Sequence, residues 1–195
     1  KDGHWQTFFE DGQLLQEGDF SAGKENGLWS AWYQNGQLKD EGTYDKGIMN
    51  GSWKGYFDNG KLNYQGEQNQ GKKAGTWQYG YINGETRETG SYKNGLKDGS
   101  WEYYFDSGNL DYTTTYSSGS KDGKSVYYYP HGSKMREETY AMDRISGKSK
   151  MWNKTGVLIS VRNYKNGFPD GKAINYDDKG NVLNVMTYKN GIRVD

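Results

Sequence analysis

Aromatic residues, glycines and polar residues follow one another in a pattern that recurs every 24 residues along the chain. Counting each repeat from its first glycine as position 1, aromatic residues are concentrated at positions 3, 6, 7 and 18, and leucine at position 12. Self-similarity at a constant period is the signature of a repeat architecture. We therefore predict one repeat array over residues 1–195, with repeats six to eight degenerate. The eight repeats begin near Gly3, Gly27, Gly51, Gly75, Gly99, Gly123, Gly147 and Gly171.

Each repeat is predicted to form a β-hairpin. Segments such as residues 29–34 and 37–44 are rich in aromatic residues and lack proline, which is typical of strands. Asn35-Gly36 between them predicts a two-residue type I′ turn, because that turn needs positive φ at both central residues. A second turn near Lys46 joins one hairpin to the next. The pattern predicts an all-β fold, an elongated single-layer antiparallel β-meander of about eight tandem hairpin repeats.

A two-residue loop also predicts the register of each hairpin. Position 3 then lies opposite position 16, so that Trp29 faces Gly42, and position 7 lies opposite position 12. The indole is expected to lie across the glycine of its own hairpin, an arrangement in which an aromatic ring compensates for the missing side chain. Because side chains alternate across a strand, positions 3, 7, 12, 16 and 18 are predicted to share one packing face, which includes leucines such as Leu38.

The other face is predicted to carry a ladder of rings at position 6 in a polar surrounding. Evenly spaced tyrosine and tryptophan side chains suit stacking on sugars or holding an extended peptide, since they combine apolar area with a hydrogen-bonding tip. The alternative is that aromatic cross-strand pairs only stabilise a one-layer sheet. The candidate ligand-binding residues are Phe8, Trp32, Tyr56, Tyr104, Tyr128, Trp152 and Tyr176.

Toward the C-terminus the second face becomes aliphatic, where earlier repeats have polar residues. A contiguous apolar patch usually marks an interface, so we expect another protein or a partner subunit to bind there. The alternative is a capping region that has diverged from the consensus. The interface candidates are Val126, Ile159, Val161, Ile174, Leu183 and Val185.

The charge and composition of the chain disfavour several classes of function. With 25 basic and 25 acidic residues interspersed, it has no basic field for nucleic acid. No apolar stretch approaches the roughly 20 residues of a membrane span. The chain has no cysteine, and His4 and His131 are its only histidines, so no catalytic triad, metal site or cofactor is expected. His131 occupies a turn position where other repeats have asparagine. We expect a protein that is not an enzyme.

The repeat resembles the variant MORN repeat of bacterial proteins over essentially the whole chain. The residues that carry the resemblance in the second repeat are Gly27, Trp29, Tyr33, Asn35, Gly36, Leu38, Gly42, Tyr44 and Gly47. The resemblance implies elongated β-sheet arrays used for binding and scaffolding, and some relatives are antitoxin-like. Gly-Trp hairpins are also similar to choline- and glucan-binding modules of bacterial cell walls. We therefore expect a protein-binding scaffold, with a carbohydrate-binding surface module and an antitoxin or immunity protein as alternatives.

Overall fold

The computed structural model describes residues 1–195, which form eighteen β-strands and no helix that could cross a membrane. The chain divides into two compact units, Lys1–Leu96 and Lys97–Asp195. The N-terminal unit contains β1 (Gly3–Phe8), β2 (Leu14–Ser21), β3 (Lys24–Trp32), β4 (Leu38–Asp45), β5 (Ile48–Tyr56), β6 (Leu62–Asn69), β7 (Lys72–Gly80) and β8 (Thr86–Lys93). The C-terminal unit contains β9, which begins at the boundary (Leu96–Tyr104), β10 (Leu110–Ser117), β11 (Ser120–Tyr128), β12 (Lys134–Ala141), β13 (Arg144–Ile145), β14 (Gly147–Trp152), β15 (Leu158–Lys165), β16 (Phe168–Tyr176), β17 (Val182–Lys189) and β18 (Ile192–Arg193).

Within each unit, strands that follow one another along the chain pair in antiparallel fashion. In the N-terminal unit this holds from β1 through β8. In the C-terminal unit it holds from β9 through β18, with β13 and β14 both paired to β12. The predicted all-β hairpin meander is confirmed in both units.

The turn at each hairpin tip differs from the predicted type I′ turn. Of the pair Asn35-Gly36, only Gly36 has positive φ, at 80°. The Tyr33 N–H donates to the Gln37 carbonyl oxygen (2.8 Å), and the Gly36 N–H donates to the Tyr33 carbonyl oxygen (2.9 Å). These bonds close a three-residue loop, in which a type I turn is followed by a left-handed glycine. The Asn35 side chain accepts a hydrogen bond from the Gln37 N–H (3.0 Å), which accounts for asparagine at this position.

Two-residue turns with positive φ at both central residues join successive hairpins instead. The angle φ is 52° at Lys46 and 83° at Gly47, and the flanking residues Asp45 and Ile48 pair directly. The Gly47 N–H donates to the carbonyl oxygen of Glu25 in the preceding repeat (2.8 Å). The type I′ geometry that the sequence predicts at the hairpin tip is therefore found at the connection between hairpins.

The longer tip loop shifts the register near the end of each hairpin. Trp29 still lies opposite Gly42, as predicted, and Ala31 lies opposite Asp40, but Trp32 then pairs with Leu38. Position 12 thus faces position 6 and not position 7. Directly opposed residues share a face of the sheet, so the leucines lie with the position-6 rings. Their predicted placement on the tryptophan face is wrong.

Candidate binding surfaces

Tryptophan and glycine pack between neighbouring repeats on the first face, which carries positions 3, 5, 14, 16 and 18. The Trp53 indole lies over Gly42 of the preceding repeat, where an added methyl group would overlap the ring. Its Nε1 donates to the Thr43 carbonyl oxygen (3.2 Å), and Tyr44 meets the ring edge-on with centroids 5.3 Å apart. Trp29 covers Gly18, and Trp77 covers Gly66, in the same way. The indole therefore compensates for the glycine of the preceding repeat and not of its own hairpin.

The C-terminal unit replaces each tryptophan–glycine pair by another pair that contains one small residue. The Thr114 and Ser125 hydroxyls lie 2.5 Å apart, and both residues are fully buried. The two side chains of such a pair fill the same space, so a different residue at one position is accompanied by a different residue at the other. The pairs in order along the chain are Thr114 with Ser125, Glu138 with Ser149, and Arg162 with Ala173.

Tyrosines at positions 5 and 14 extend the first face, and sequence reasoning missed them. Tyr103 and Tyr112 stack with centroids 4.1 Å apart and planes at 7°. Lys97 lies 3.8 Å from the Trp101 ring centroid and donates to the Tyr103 hydroxyl (2.8 Å). A lysine that recurs two residues before the position-1 glycine was the sequence signal for this cation–π contact. These side chains pack the first face, and burial raises the pKa of Tyr79 on the same face.

The second face carries positions 2, 4, 6, 12, 15 and 17, and it includes the predicted ladder. Phe8 is 55% exposed. The other rings, Trp32, Tyr56, Tyr104, Tyr128, Trp152 and Tyr176, are half-buried. Each ring lies opposite the side chain at position 12, as does Gly80 where the ladder is interrupted. Tyr176 also borders a cavity on the first face. The Tyr56 hydroxyl donates to Glu41 (3.4 Å), and burial together with a hydrogen bond to Glu102 raises the pKa of Tyr104 to about 12. The ladder therefore presents partly covered rings beside polar groups.

Part of the predicted aliphatic set forms a continuous row on the second face of repeats seven and eight. Val161 lies opposite Ile174, which lies opposite Val185, and Val185 is 46% exposed. Trp152 and Leu158 form a directly opposed pair on the same face. We call these five residues the C-terminal apolar patch. The equivalent row in the N-terminal unit is polar and consists of Gln6, Glu17, Ser30, Glu41, Lys54, Gln65, Gln78 and Thr89.

The other three interface candidates lie elsewhere. Val126 is buried, and Glu137 and Lys150 stand between it and the patch. Ile159 lies next to the register shift of its hairpin and borders a cavity on the first face. Leu183 is 64% exposed. The structure thus brings together three of the six predicted interface residues. The other two members of the patch are Trp152 at position 6, predicted as a ligand-binding residue, and Leu158 at position 12, predicted as a packing residue.

The histidines and boundary aspartates contact neighbouring strands and turns. His4 Nδ1 lies 3.1 Å from Asp19 Oδ1, and His131 Nε2 lies 3.0 Å from a backbone carbonyl oxygen of the next hairpin. Asp2 accepts a hydrogen bond from the backbone N–H of Ala22 in the inter-hairpin turn (2.9 Å). No group of three or more His, Asp or Glu side chains is placed to hold a metal ion. Turn geometry accounts for the recurrent Asp-Gly pairs.

Comparison with known proteins identifies the repeat. The family model of the MORN repeat variant matches residues 1–22, 25–46, 49–69, 97–118, 121–142, 145–166 and 169–190, which is more than half of the chain. No curated protein matches the chain. The crystal structures of TcdB2-TccC3 and TcdB2-TccC3-Cdc42 match 95% and 97% of it, at 13% and 12% identity and TM-scores of 0.24 and 0.20. This chain spans 14% of each solved chain, and scores this low carry no information about its function.

Proposed function

The chain belongs to the MORN repeat variant family, and from that premise we propose that it is a non-catalytic scaffold that binds another protein in a bacterium. The C-terminal apolar patch is the observation that carries the proposal. Its side chains lie side by side on the second face, and Val185 at its margin is nearly half exposed. Apolar side chains grouped in this way favour a protein partner, because association removes them from water.

The contrast between the two units supports this assignment. In the N-terminal unit the same row contains amides and charges, and Gln65 donates to Gln78 (2.9 Å), which in turn donates to Thr86 (2.9 Å). Such a surface is satisfied by its own hydrogen bonds and by water. The aliphatic row of repeats seven and eight offers no comparable bonds, so a partner that covers it gains apolar burial without breaking any. Binding is therefore proposed to reside in the C-terminal unit.

The proposal is tested with Val161→Thr, Ile174→Thr and Val185→Thr combined in one variant. Threonine keeps the β-branched shape that strands favour while it replaces a methyl group of valine, or the ethyl group of isoleucine, by a hydroxyl. A protein captured from the source cells by the wild-type chain is purified and titrated against both forms by calorimetry. We expect the affinity of the variant to fall about tenfold or more, since each buried methyl contributes about 0.8 kcal/mol.

The matched control makes the same kind of change at three exposed β-branched residues outside the patch, with Ile48→Thr, Ile82→Thr and Val194→Thr. It should keep wild-type affinity, and circular dichroism should show that both variants are folded. A partner that binds the patch variant and the control equally well would show that the patch is not the binding surface.

A carbohydrate-binding surface module remains the second candidate, and the position-6 ladder favours it. Trp32, Tyr56 and Trp152 are half-buried, so part of each side chain remains in contact with solvent. Their replacement by alanine should abolish capture of isolated cell-wall glycan if the ladder binds sugar, because stacking on the rings would be lost. Capture of glycan by the wild-type chain, together with this loss and an absence of protein partners, would replace the scaffold by the carbohydrate function.

A further inference from the structure

A cavity of about 460 Å³ opens on the first face of the C-terminal unit, where the packing of the earlier repeats is missing. In the N-terminal unit an indole fills this place, as Trp53 does over Gly42. Ser149 occupies the tryptophan position of the seventh repeat, and Glu138 occupies the glycine position of the sixth. Loss of the indole leaves space, and the volume lies within the range of small-molecule sites.

One arginine at the cavity is neutralised by the protein itself. Arg136 lies 3.4 Å from Glu138 and 4.3 Å from the Tyr127 ring centroid. Glu138 is 3% exposed and accepts hydrogen bonds from the Tyr140 hydroxyl (2.9 Å) and from Ser149 (3.3 Å). Glu138 thus provides a buried counter-charge to Arg136, and removing either partner would leave an uncompensated buried charge. This pair forms a neutral wall.

The second arginine at the cavity is uncompensated. Arg162 is exposed, borders the cavity and forms no ion pair. Asp178 borders the same cavity, and its Oδ1 accepts a hydrogen bond from the Asn153 amide (3.2 Å). A guanidinium presents donors in a planar fork that matches a carboxylate. Arg162 is thus the cationic group of the cavity that has no ion-pair partner, whereas Asp178 is a carboxylate hydrogen-bonded to a neutral amide.

The other polar groups offer acceptors. Ser149 donates its hydroxyl hydrogen to Glu138, and Ser160 donates its own to the Asn175 side-chain oxygen (3.3 Å). Their hydroxyl oxygens keep lone pairs available toward the cavity. Acceptors of this kind require a ligand with hydrogen-bond donors, and sugar hydroxyls supply them. The Arg162 guanidinium supplies donors, and a carboxylate is the acceptor that best matches its planar fork.

We propose that this cavity binds an acidic sugar, with the carboxylate on Arg162 and the hydroxyl groups on Ser149 and Ser160. A monosaccharide fits the volume, and its two kinds of polar group match the two kinds of partner. The site lies on the opposite face from the C-terminal apolar patch. It stands independently of the proposed protein-binding function.

The test titrates the full chain with D-glucuronate, D-glucose and acetate by calorimetry. Glucuronate and glucose differ at one carbon, a carboxylate against a hydroxymethyl group, and acetate supplies the carboxylate alone. We expect glucuronate to bind with a Kd in about the millimolar range, and the other two to bind at least about tenfold more weakly. Absence of glucuronate binding, or equal binding of glucose or acetate, would overturn the proposal.

Variants of the cavity residues test whether glucuronate binds in the cavity. Arg162→Gln should weaken glucuronate binding about tenfold, whereas Arg144→Gln, an exposed arginine away from the cavity, should leave it unchanged. The double variant Glu138→Gly with Ser149→Trp restores the consensus pair and should fill the cavity. This double variant also removes the negative charge of Glu138. If glucuronate were held by charge alone its binding would strengthen, whereas if it binds in the cavity its binding would be lost.

The control for the filled cavity restores the same consensus pair one repeat earlier, with Thr114→Gly and Ser125→Trp, where the residues do not line the cavity. It should bind glucuronate as the wild type does. Denaturation curves verify that each variant is folded. Unchanged binding in the filled variant or in Arg162→Gln would refute the assignment.

Discussion

The glycine at position 16 allows the indole of the following repeat to lie against the strand. We expect Gly42→Ala to lower the free energy of unfolding by about 1–3 kcal/mol, because the new methyl group overlaps the Trp53 ring and overpacks a close contact. Denaturant unfolding measures the change. In a Trp53→Ala background the same substitution should be neutral or slightly stabilising, since alanine is preferred to glycine in a strand. An equal loss in both backgrounds would mean that the indole does not lie over Gly42.

At the scale of secondary-structure elements, the two turns of each repeat place opposite demands on their residues. Lys46 has φ of 52°, a left-handed conformation that is unfavourable for lysine and better tolerated by asparagine. Lys46→Asn should therefore raise the free energy of unfolding by about 0.5–1 kcal/mol. Chemical denaturation followed by tryptophan fluorescence checks the result.

The tip turn provides the matched comparison. Asn35→Gly should lower the free energy of unfolding by about 1 kcal/mol, because it removes hydrogen bonds of Asn35 to the Gln37 N–H and to the Asp58 carbonyl oxygen. If the tip were a type I′ turn, glycine at this position would be favourable. A stabilising Asn35→Gly together with a destabilising Lys46→Asn would show that the two turn types are assigned the wrong way round.

At the scale of the whole molecule, tyrosines supply much of the packing, and their ionisation links stability to alkaline pH. Burial raises the pKa of Tyr33, Tyr44 and Tyr56, and burial with the Glu102 contact raises that of Tyr104 from 10.0 to about 12. The folded state thus holds these phenolic protons more tightly than the unfolded state. The associated stability is fully present below about pH 10 and is lost as the pH rises toward about 12.

We expect the free energy of unfolding to fall between about pH 10 and pH 12. The ultraviolet absorbance of tyrosinate should rise at higher pH in the folded chain than in the chain unfolded by denaturant. Tyr104→Phe should reduce the fall, because it removes one of the titrating groups. A wild-type absorbance titration that coincides with the denatured one would contradict the raised pKa values.

Much of the fold and part of the site follow from the sequence by local rules. The 24-residue period, the two strands of each repeat and the pairing of Trp29 with Gly42 depend on glycine spacing and side-chain alternation, which neighbouring residues determine. The same alternation identified Val161, Ile174 and Val185 as residues of one face. These expectations required no knowledge of how one repeat contacts the next.

The sequence does not determine the type of the tip turn, because Asn-Gly fits both a type I′ turn and a type I turn followed by a left-handed glycine. The additional loop residue shifts the register, and a shift of one residue moves a side chain to the other face. Leu38 therefore pairs with Trp32, and Ile159 borders the cavity and not the patch. Only the folded hairpin distinguishes these outcomes.

The sequence by itself determined the repeat, the strands and the opposition of tryptophan to glycine, because each depends on periodicity along one chain. Tertiary structure alone decided which indole covers which glycine. Gly18 pairs with Trp5 on one side and with Trp29 on the other, so the pattern allows both, and the Trp29 ring covers it. Tertiary structure likewise determined that a cavity forms beside Ser149, because the space left by an absent indole depends on how neighbouring repeats pack.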